Sequence, residues 1–224
     1  MRTSTSRSNI TLSLQGALLP SPRGVPLRMD FSVATAADID AITETITLAF
    51  LADPIWCVAL ARPDGSISHL RPYWRVYVES AVRRGTAYIT SGASSVALWT
   101  APGEAELTDE EEAQAAAVLE RALTPESYAA LQTIYQRFAD AHPHEPHAYL
   151  GFLATHPDFR GRGTAQQLLA VNLAVLDAQG IPAYLESSNP VNNHRYERAG
   201  FRRIGGFDAV LNDATLSTMW RDPR

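Results

Sequence analysis

The run Arg160-Gly161-Arg162-Gly163-Thr164-Ala165 lies between two stretches of different character. Before it, Ala148 to Thr155 reads as a buried, mostly apolar strand; after it, Ala165, Leu168, Leu169, Leu173 and Leu176 recur at helical spacing. At a strand-to-helix junction the first amides of the helix have no backbone partner, and with the helix dipole they form a site for anionic oxygen. Gly161 and Gly163 let the main chain come close to a ligand, and Arg160 and Arg162 add positive charge. A diphosphate is the natural guest of such a turn. Gln166 occupies the place of a third glycine, and Gly-Lys-Ser/Thr does not occur, which excludes the dinucleotide fingerprint and the P-loop. A tight connector, with glycines for turning and arginines for solubility, is the other reading of the same residues.

Glu186 is a second group with chemistry to offer. It falls in Ile181 to Ser187, the strand after the helix, where alternation sets Tyr184, Glu186 and Ser188 on one face and Ala183, Leu185 and Ser187 on the other. A carboxylate in a mostly buried strand is costly unless paired or functional. Glu186 is therefore a candidate general base, with an ion pair to Arg198 or Arg202 as the structural alternative. His142-x-His144-x-x-His147 has metal-ligand residue types, but its spacing is loose, Pro143 and Pro146 stiffen it, and no cysteine is near. A polar connector without metal is expected there, with His144 or His147 left open as a base. The one cysteine, Cys57, rules out an intrachain disulfide and beside Trp56 and Val58 is expected as a small core residue.

These groups need a scaffold, and the pattern supplies one. Phe31 to Val33 is a short strand, and Thr35 with Asp38 opens a helix carrying Ile39, Ile42, Ile46, Ala49 and Phe50 on one face, which ends at Asp53-Pro54. A second helix carries Trp74, Tyr77, Val78 and Ala81 with Pro72 in its first turn, and strands follow at Thr86 to Thr90 and Val96 to Thr100 around Gly92. Thr108 to Glu111 caps an Ala- and Glu-rich helix, whose acidic start Asp109 to Glu112 suits the dipole, and Thr124-Pro125 caps another bearing Tyr128, Leu131, Tyr135 and Phe138. Gly180 is placed as the C-cap of the helix after the glycine turn, so that unit is βαβ with parallel neighbouring strands. A hairpin of Arg202 to Phe207 and Thr215 to Arg221 closes the chain. Residues 1–28, rich in Ser, Thr, Arg and Pro, read as a flexible extension to a domain of 29–224.

With that layout in view, Arg160, Gly163 and Ala165 resemble the Arg/Gln-x-x-Gly-x-Gly/Ala acetyl-CoA motif of the GNAT superfamily of N-acetyltransferases. Leu153 to Phe159 looks like that family's strand and its exit. Asn192-Asn193-His194-Arg195-Tyr196-Glu197-Arg198-Ala199-Gly200-Phe201 is similar to its Asn…Tyr-Glu-Arg-x-Gly-Phe segment. Ala97 to Pro102 and Pro182 to Ser188 look closest to the puromycin N-acetyltransferase-like branch. The resemblance implies an α/β fold, a mixed and mostly antiparallel sheet with a splayed parallel pair around the cofactor helix, flanked by helices. It implies that Arg160, Gly161, Arg162, Gly163, Thr164 and Ala165 hold the pyrophosphate of acetyl-CoA, that the Leu153, Ala154 and Thr155 backbone pairs with its pantetheine arm, and that Asn192 lies beside it. Tyr196 would be the acid that protonates the departing thiolate, and Glu186, where that branch also has a Glu, the base. Trp56, in a loop, with Trp99 and Tyr149, is expected to form the acceptor pocket, while Trp74 and Tyr77 mainly pack.

Composition sets the outer bounds. The hydrophobic fraction of 46% suffices for a real core, and a net charge of −5 argues against nucleic acid as a general partner. No stretch reads as a signal peptide or membrane span, so a soluble, cytoplasmic protein, monomer or homodimer, is expected. The expected reaction is direct attack of a small-molecule amine on acetyl-CoA in a ternary complex. The rival readings are a protein N-terminal or lysine acetyltransferase and a non-catalytic acyl-CoA-binding module.

Overall fold

The computed structural model describes residues 31–210 and 212–224, so the extension expected at 1–28 lies outside the described residues. In chain order the elements are β1 (Phe31–Val33), α1 (Ile39–Phe50), α2 (Trp56–Ala59), α3 (Leu70–Arg84), β2 (Ala87–Thr90), β3 (Ser95–Thr100), α4 (Asp109–Ala122), α5 (Pro125–Ala141), β4 (Ala148–Thr155), α6 (Thr164–Ala178), β5 (Ala183–Ser187), α7 (Asn193–Arg198), β6 (Arg202–Asp208) and β7 (Thr215–Arg221). The α/β class, the βαβ unit and the closing hairpin are those read from the sequence; the short α2 was not foreseen, because its four residues carry no periodicity to detect. None of the described helices is long and apolar enough to cross a membrane.

Local chemistry starts the helices where it was expected to. The Asp38 carboxylate accepts from the backbone and the hydroxyl of Thr35, both at 2.8 Å, and leads into α1. Thr108 and Glu111 close a capping box on α4, and the Thr124 hydroxyl accepts from the Ser127 amide with Pro125 in the first turn of α5.

The seven strands form one sheet in the order β1-β2-β3-β4-β5-β7-β6. All neighbours are antiparallel except β4 and β5, which α6 connects as a parallel pair. That pairing lasts only from Ala148↔Ala183 to Tyr149↔Tyr184. Beyond it β4 stays with β3 as far as Ser95↔Thr155, while β5 stays with β7 as far as Ser187↔Ser217. A V-shaped gap therefore opens between β4 and β5, with an unpaired backbone edge on each side.

A bulge marks the same place. Leu98 pairs with Phe152 and Trp99 with Leu150, leaving Gly151 as the extra residue. Leu150 and Phe152, two apart and both buried, consequently belong to different cores. One core joins Phe152, Ala154, Val96 and Leu98 to Ile42 and Ile46 of α1, Trp74 and Val78 of α3, and Leu119 and Leu131 of α4 and α5. The opposite core joins Leu150, Trp99, Leu185 and Met219 to Leu168, Leu169, Leu173 and Leu176 of α6.

The far side of the gap is anchored by charge. Arg221 at the end of β7 is 4% exposed and makes a two-pronged contact with the Asp177 carboxylate of α6, at 2.6 and 2.7 Å. The guanidinium also donates to the Ala199 carbonyl at 3.0 Å. Removing one member of such a pair strands the other without compensation. Asp177→Ala is expected to lower the unfolding free energy by about 3 kcal/mol in urea titrations; a loss below about 1 kcal/mol would mean that Arg221 finds a substitute.

Candidate active site

The gap ends, on the β4 side, at the glycine turn. After a single 3-10 turn at Pro157–Phe159 the chain passes Arg160 and reaches α6 through Gly161 and Gly163, both left-handed at φ 80° and 73°. Gly163 is the residue before the helix, and having no side chain it cannot cap the first amides of α6; no other capping bond is made there among the described residues. The Ser95 hydroxyl links the Thr155 hydroxyl at 3.1 Å with that of Thr164 at 2.6 Å, so the end of β4 and the start of α6 are tied together. Arg160 donates to the Ala49 carbonyl of α1 at 3.2 Å, and Arg162 lies over the Phe159 ring at 4.9 Å. Neither arginine forms an ion pair among the described residues, and both are exposed. An anion arriving at the turn would meet uncapped amides and two available charges.

On the β5 side stands Tyr196, in α7. Its hydroxyl pKa is pushed up to about 12 by burial and then by the Asp53 carboxylate. Asp53 was read from the sequence only as a helix terminator. Its Oδ1 accepts from the Ile55 and Trp56 amides at 3.0 and 3.1 Å, and its Oδ2 accepts from the Ser188 hydroxyl at 2.6 Å. The turn after α1 is thus clipped to the end of β5, and nothing in the spacing of positions so distant in sequence could have indicated it. Asn192 precedes α7 and accepts from the Arg195 guanidinium at 3.1 Å.

Glu186 lies on the α5 side of β5, with Tyr184 and Ser188 as alternation required. Its side chain is 2% exposed, and among the described residues neither carboxylate oxygen has a hydrogen-bond partner. The ion pairs considered with Arg198 and Arg202 are not formed: Arg202 faces Asp222 at 3.8 Å, and the basic group nearest Glu186 is His142, at 3.7 Å. His142 in turn meets His147 at 3.1 Å between ring nitrogens, and burial holds His147 below the usual histidine range. His144 is exposed. Among the described residues no group of three or more His, Cys, Asp or Glu gathers as a metal site.

The residue that sequence reasoning missed is Glu106, from the loop between β3 and α4. Its carboxylate occupies the space left by the absent side chain of Gly151, and its pKa is pushed up to about 8, by burial first and then by Glu186, with Arg84 pulling the other way. A glutamate in a loop beside Glu104 and Ala105 reads as solvated, and only the bulge at Gly151 gives it a place to go in. Tyr149 stands next to both acids, which together with burial hold its proton far more firmly than in a free phenol. Farther along the same face the Tyr73 hydroxyl meets that of Tyr135, and that of Tyr77 at 3.3 Å.

Of the expected acceptor residues, Trp56 lines a pocket of about 230 Å³ with Phe50, Leu60, Leu70 and Trp74. It sits on α2 and not in an irregular loop. Phe50 and Trp74 also touch Phe152, 5.7 and 5.5 Å between ring centres, so the pocket abuts β4 at the gap. Trp99 is elsewhere. It is buried under α6, its indole N–H donating to Asn172 at 3.0 Å, because alternation along β3 sets it with Ala97 on the α6 face, opposite Val96 and Leu98. Cys57 is exposed on the pocket wall and not in the core, with its thiol pushed up by partial burial and then by Asp53, which makes it a poor thiolate.

The raised pKa of Glu106 has a consequence for stability. The native state holds a proton on it that the unfolded chain gives up, so its contribution is largest below the ordinary carboxylate range and is lost as pH rises toward about 8. His147 acts in the opposite sense at lower pH, which makes the difference between native protein and variant the informative quantity. Melting curves from about pH 5 to about pH 8 should show a less negative slope for Glu106→Gln than for the native protein; equal slopes would assign the effect to other groups.

Comparison with known proteins agrees with this geometry. Residues 97–201, from β3 to Phe201 just before β6, match the model of the Acetyltransferase (GNAT) family. Among solved structures, a "histone acetyltransferase HPA2 and related acetyltransferase" from Corynebacterium glutamicum is 24% identical over 88% of this chain and 97% of its own, with a TM-score of 0.63. Arylalkylamine N-acetyltransferase 2 from Aedes aegypti superposes with a TM-score of 0.66 at 14% identity, over 88% of this chain and 99% of that one. The NatC complex bound to Gag peptide and CoA has a chain with a TM-score of 0.50 at 13% identity, covering 87% of this chain and 98% of that one. Over residues 97–201 the sequence thus resembles the GNAT acetyltransferases, and the described chain shares the fold of the solved acetyltransferases named above.

Proposed function

We propose that the protein transfers the acetyl group of acetyl-CoA to the primary amine of a small molecule, by direct attack in a ternary complex. The observation that carries this reading is the gap between β4 and β5, which has an uncapped helix N-terminus at one end and both Glu186 and Tyr196 on its β5 side. The pyrophosphate of the co-substrate suits the amides of Gly161 to Ala165, with Arg160 and Arg162 as counter-charges. Its pantetheine arm suits the unpaired edge of β4 at Leu153, Ala154 and Thr155, where a backbone amide would polarise the thioester carbonyl. Asn192 lies in the segment that carries Tyr196.

Attack requires a nitrogen lone pair, so an ammonium must first lose a proton, and Glu186 is the carboxylate within the gap that can take it. As the C–N bond forms and the C–S bond breaks, the sulfur needs a proton. Tyr196, with its pKa pushed up to about 12, remains a donor throughout the physiological range. No acyl-enzyme is invoked, since the thiol of Cys57 is held protonated. The aromatic pocket of Trp56 and Trp74 suits the body of a small acceptor better than an extended peptide, and Tyr149 adds a further aromatic ring beside the base. Both points support the puromycin N-acetyltransferase-like branch over the histone acetyltransferase and the peptide-bound NatC complex named among the structural neighbours.

Calorimetric titration should show acetyl-CoA binding that Gly163→Val weakens about tenfold or more, because a side chain at φ 73° strains the turn. Release of free thiol should follow with simple primary amines and not with peptides ending in a free N-terminus or lysine. Tyr196→Phe should lower kcat about a hundredfold with acetyl-CoA affinity unchanged. An unchanged kcat would remove Tyr196 from the mechanism.

A further inference from the structure

Glu186 does not stand alone on its face of the sheet. Glu106 reaches the same place from the loop before α4, its carboxylate against Gly151, and the Cε1 atom of Tyr149 is 3.5 Å from the position a Gly151 side chain would take. Each acid raises the cost of charge on its surroundings: Glu186 on Glu106, and both on Tyr149. Yet both oxygens of Glu186 are buried and unbonded, on a side chain 2% exposed. A carboxylate has about four lone-pair sites, and leaving them empty away from water is expensive. The phenols of Tyr149 and Tyr184 approach Glu186 without completing a hydrogen bond to it, and a group with N–H donors would satisfy it.

The neighbouring groups do not supply it. From α3 come Arg84 and Tyr77; the Arg84 guanidinium donates to the Glu106 carbonyl at 2.9 Å and lies 3.9 Å from Glu111. From α4 comes Glu112, a further negative charge, and from α5 comes the Tyr135 phenol. His142 turns Nδ1 toward Glu186 at 3.7 Å, beyond hydrogen-bond reach, while its Nε2 meets that of His147. Tyr184 on β5 turns its hydroxyl to the Ala141 carbonyl at 3.3 Å. The balance is negative charge set against β4 and on β5, the two strands that flank the gap where acetyl transfer is proposed.

We propose that Glu106 and Glu186 together form the seat for the acceptor's ammonium group, and that the substrate is an alkyl primary amine which enters protonated. This rests on the reading above and specifies its substrate class. An ammonium, R–NH3+, brings three donors, enough to bridge two carboxylates and leave one N–H for a further acceptor, and its single charge offsets one of the two. Glu186 takes one proton, giving R–NH2 and a neutral acid. The nitrogen attacks the thioester carbon, the C–S bond breaks, and a second nitrogen proton ends on the sulfur by way of Tyr196. Glu186 returns its proton to water as the product leaves. Glu106 does not take part in the transfer. It selects and orients the cation, and gives up its own proton when the cation arrives.

The test uses paired probes of equal shape, 2-phenylethylamine with 2-phenylethanol and butylamine with butanol, titrated into the full chain with and without saturating CoA. Each amine is expected to bind at least about tenfold tighter than its alcohol, with uptake of amine near neutral pH releasing on the order of one proton, read from titrations in buffers of different ionisation enthalpy. Glu106→Gln should abolish the proton release and most of the charge preference. Gly151→Ala keeps the acid but crowds it, and should reduce both, which guards against a Glu106→Gln chain that fails to fold. Equal binding of amine and alcohol, or a preference and proton release that survive both substitutions, overturns the proposal. Failure of acetyl-CoA to bind would instead count against the transferase reading, and the titrations without CoA still decide whether the ammonium seat exists.

Discussion

The early parting of β4 and β5 is the constraint on which the rest of the molecule depends. Two parallel strands normally satisfy each other's backbone groups along their length, and here they do so at only two positions. Each strand is held away by its antiparallel partner on the other side, β3 for one and β7 for the other. The exposed edges would be an invitation to aggregation on an outer strand. Placed in the middle of a sheet and walled by helices, they become a slot that can receive only something narrow and rich in amides. A pantetheine arm has that character, and the uncapped start of α6 at the end of the slot has the complementary character for a diphosphate.

The bulge at Gly151 is the second consequence of the same geometry. One unpaired residue shifts which side of the sheet its own strand's residues face, sending Leu150 toward α6 and Phe152 toward α1 and α3. Because the bulged residue is a glycine, it leaves a hollow on the sheet surface, and the carboxylate of Glu106 fills it. A buried acid is thereby brought next to a second one, at the mouth of the gap. The helices α4 and α5, which lie between two adjacent strands in sequence, deliver the remaining groups. The loop before α4 carries Glu106, and the end of α5 delivers His142 and the aromatic wall of Tyr135 and Phe138 that supports Trp56. Asp53 completes the enclosure, because its bond to Ser188 joins the α1 side of the cleft to the β5 side.

The residues of this protein that are legible in isolation are those whose chemistry is local. Thr35 and Asp38, Thr108 and Glu111, and Thr124 and Pro125 start helices by bonds within a few residues, so their sequence spacing is their structure. The glycine turn from Arg160 to Ala165 is a junction of neighbours, and the alternation around Glu186 needs only a strand, so the strand-turn-helix junction, the fold class and the side on which Glu186 lies could all be read directly. What tertiary structure alone decided involves residues far apart in the chain. A glutamate in a polar loop becomes a buried acid because a bulge in another strand makes room for it. Trp99 lies in the core instead of the cleft because α6 covers its face of β3, which alternation alone cannot tell from the other face, and Cys57 is exposed because α2 turns it outward. Asp53 ends a helix in the sequence and bridges a cleft in the fold, since one carboxylate has lone pairs enough for both.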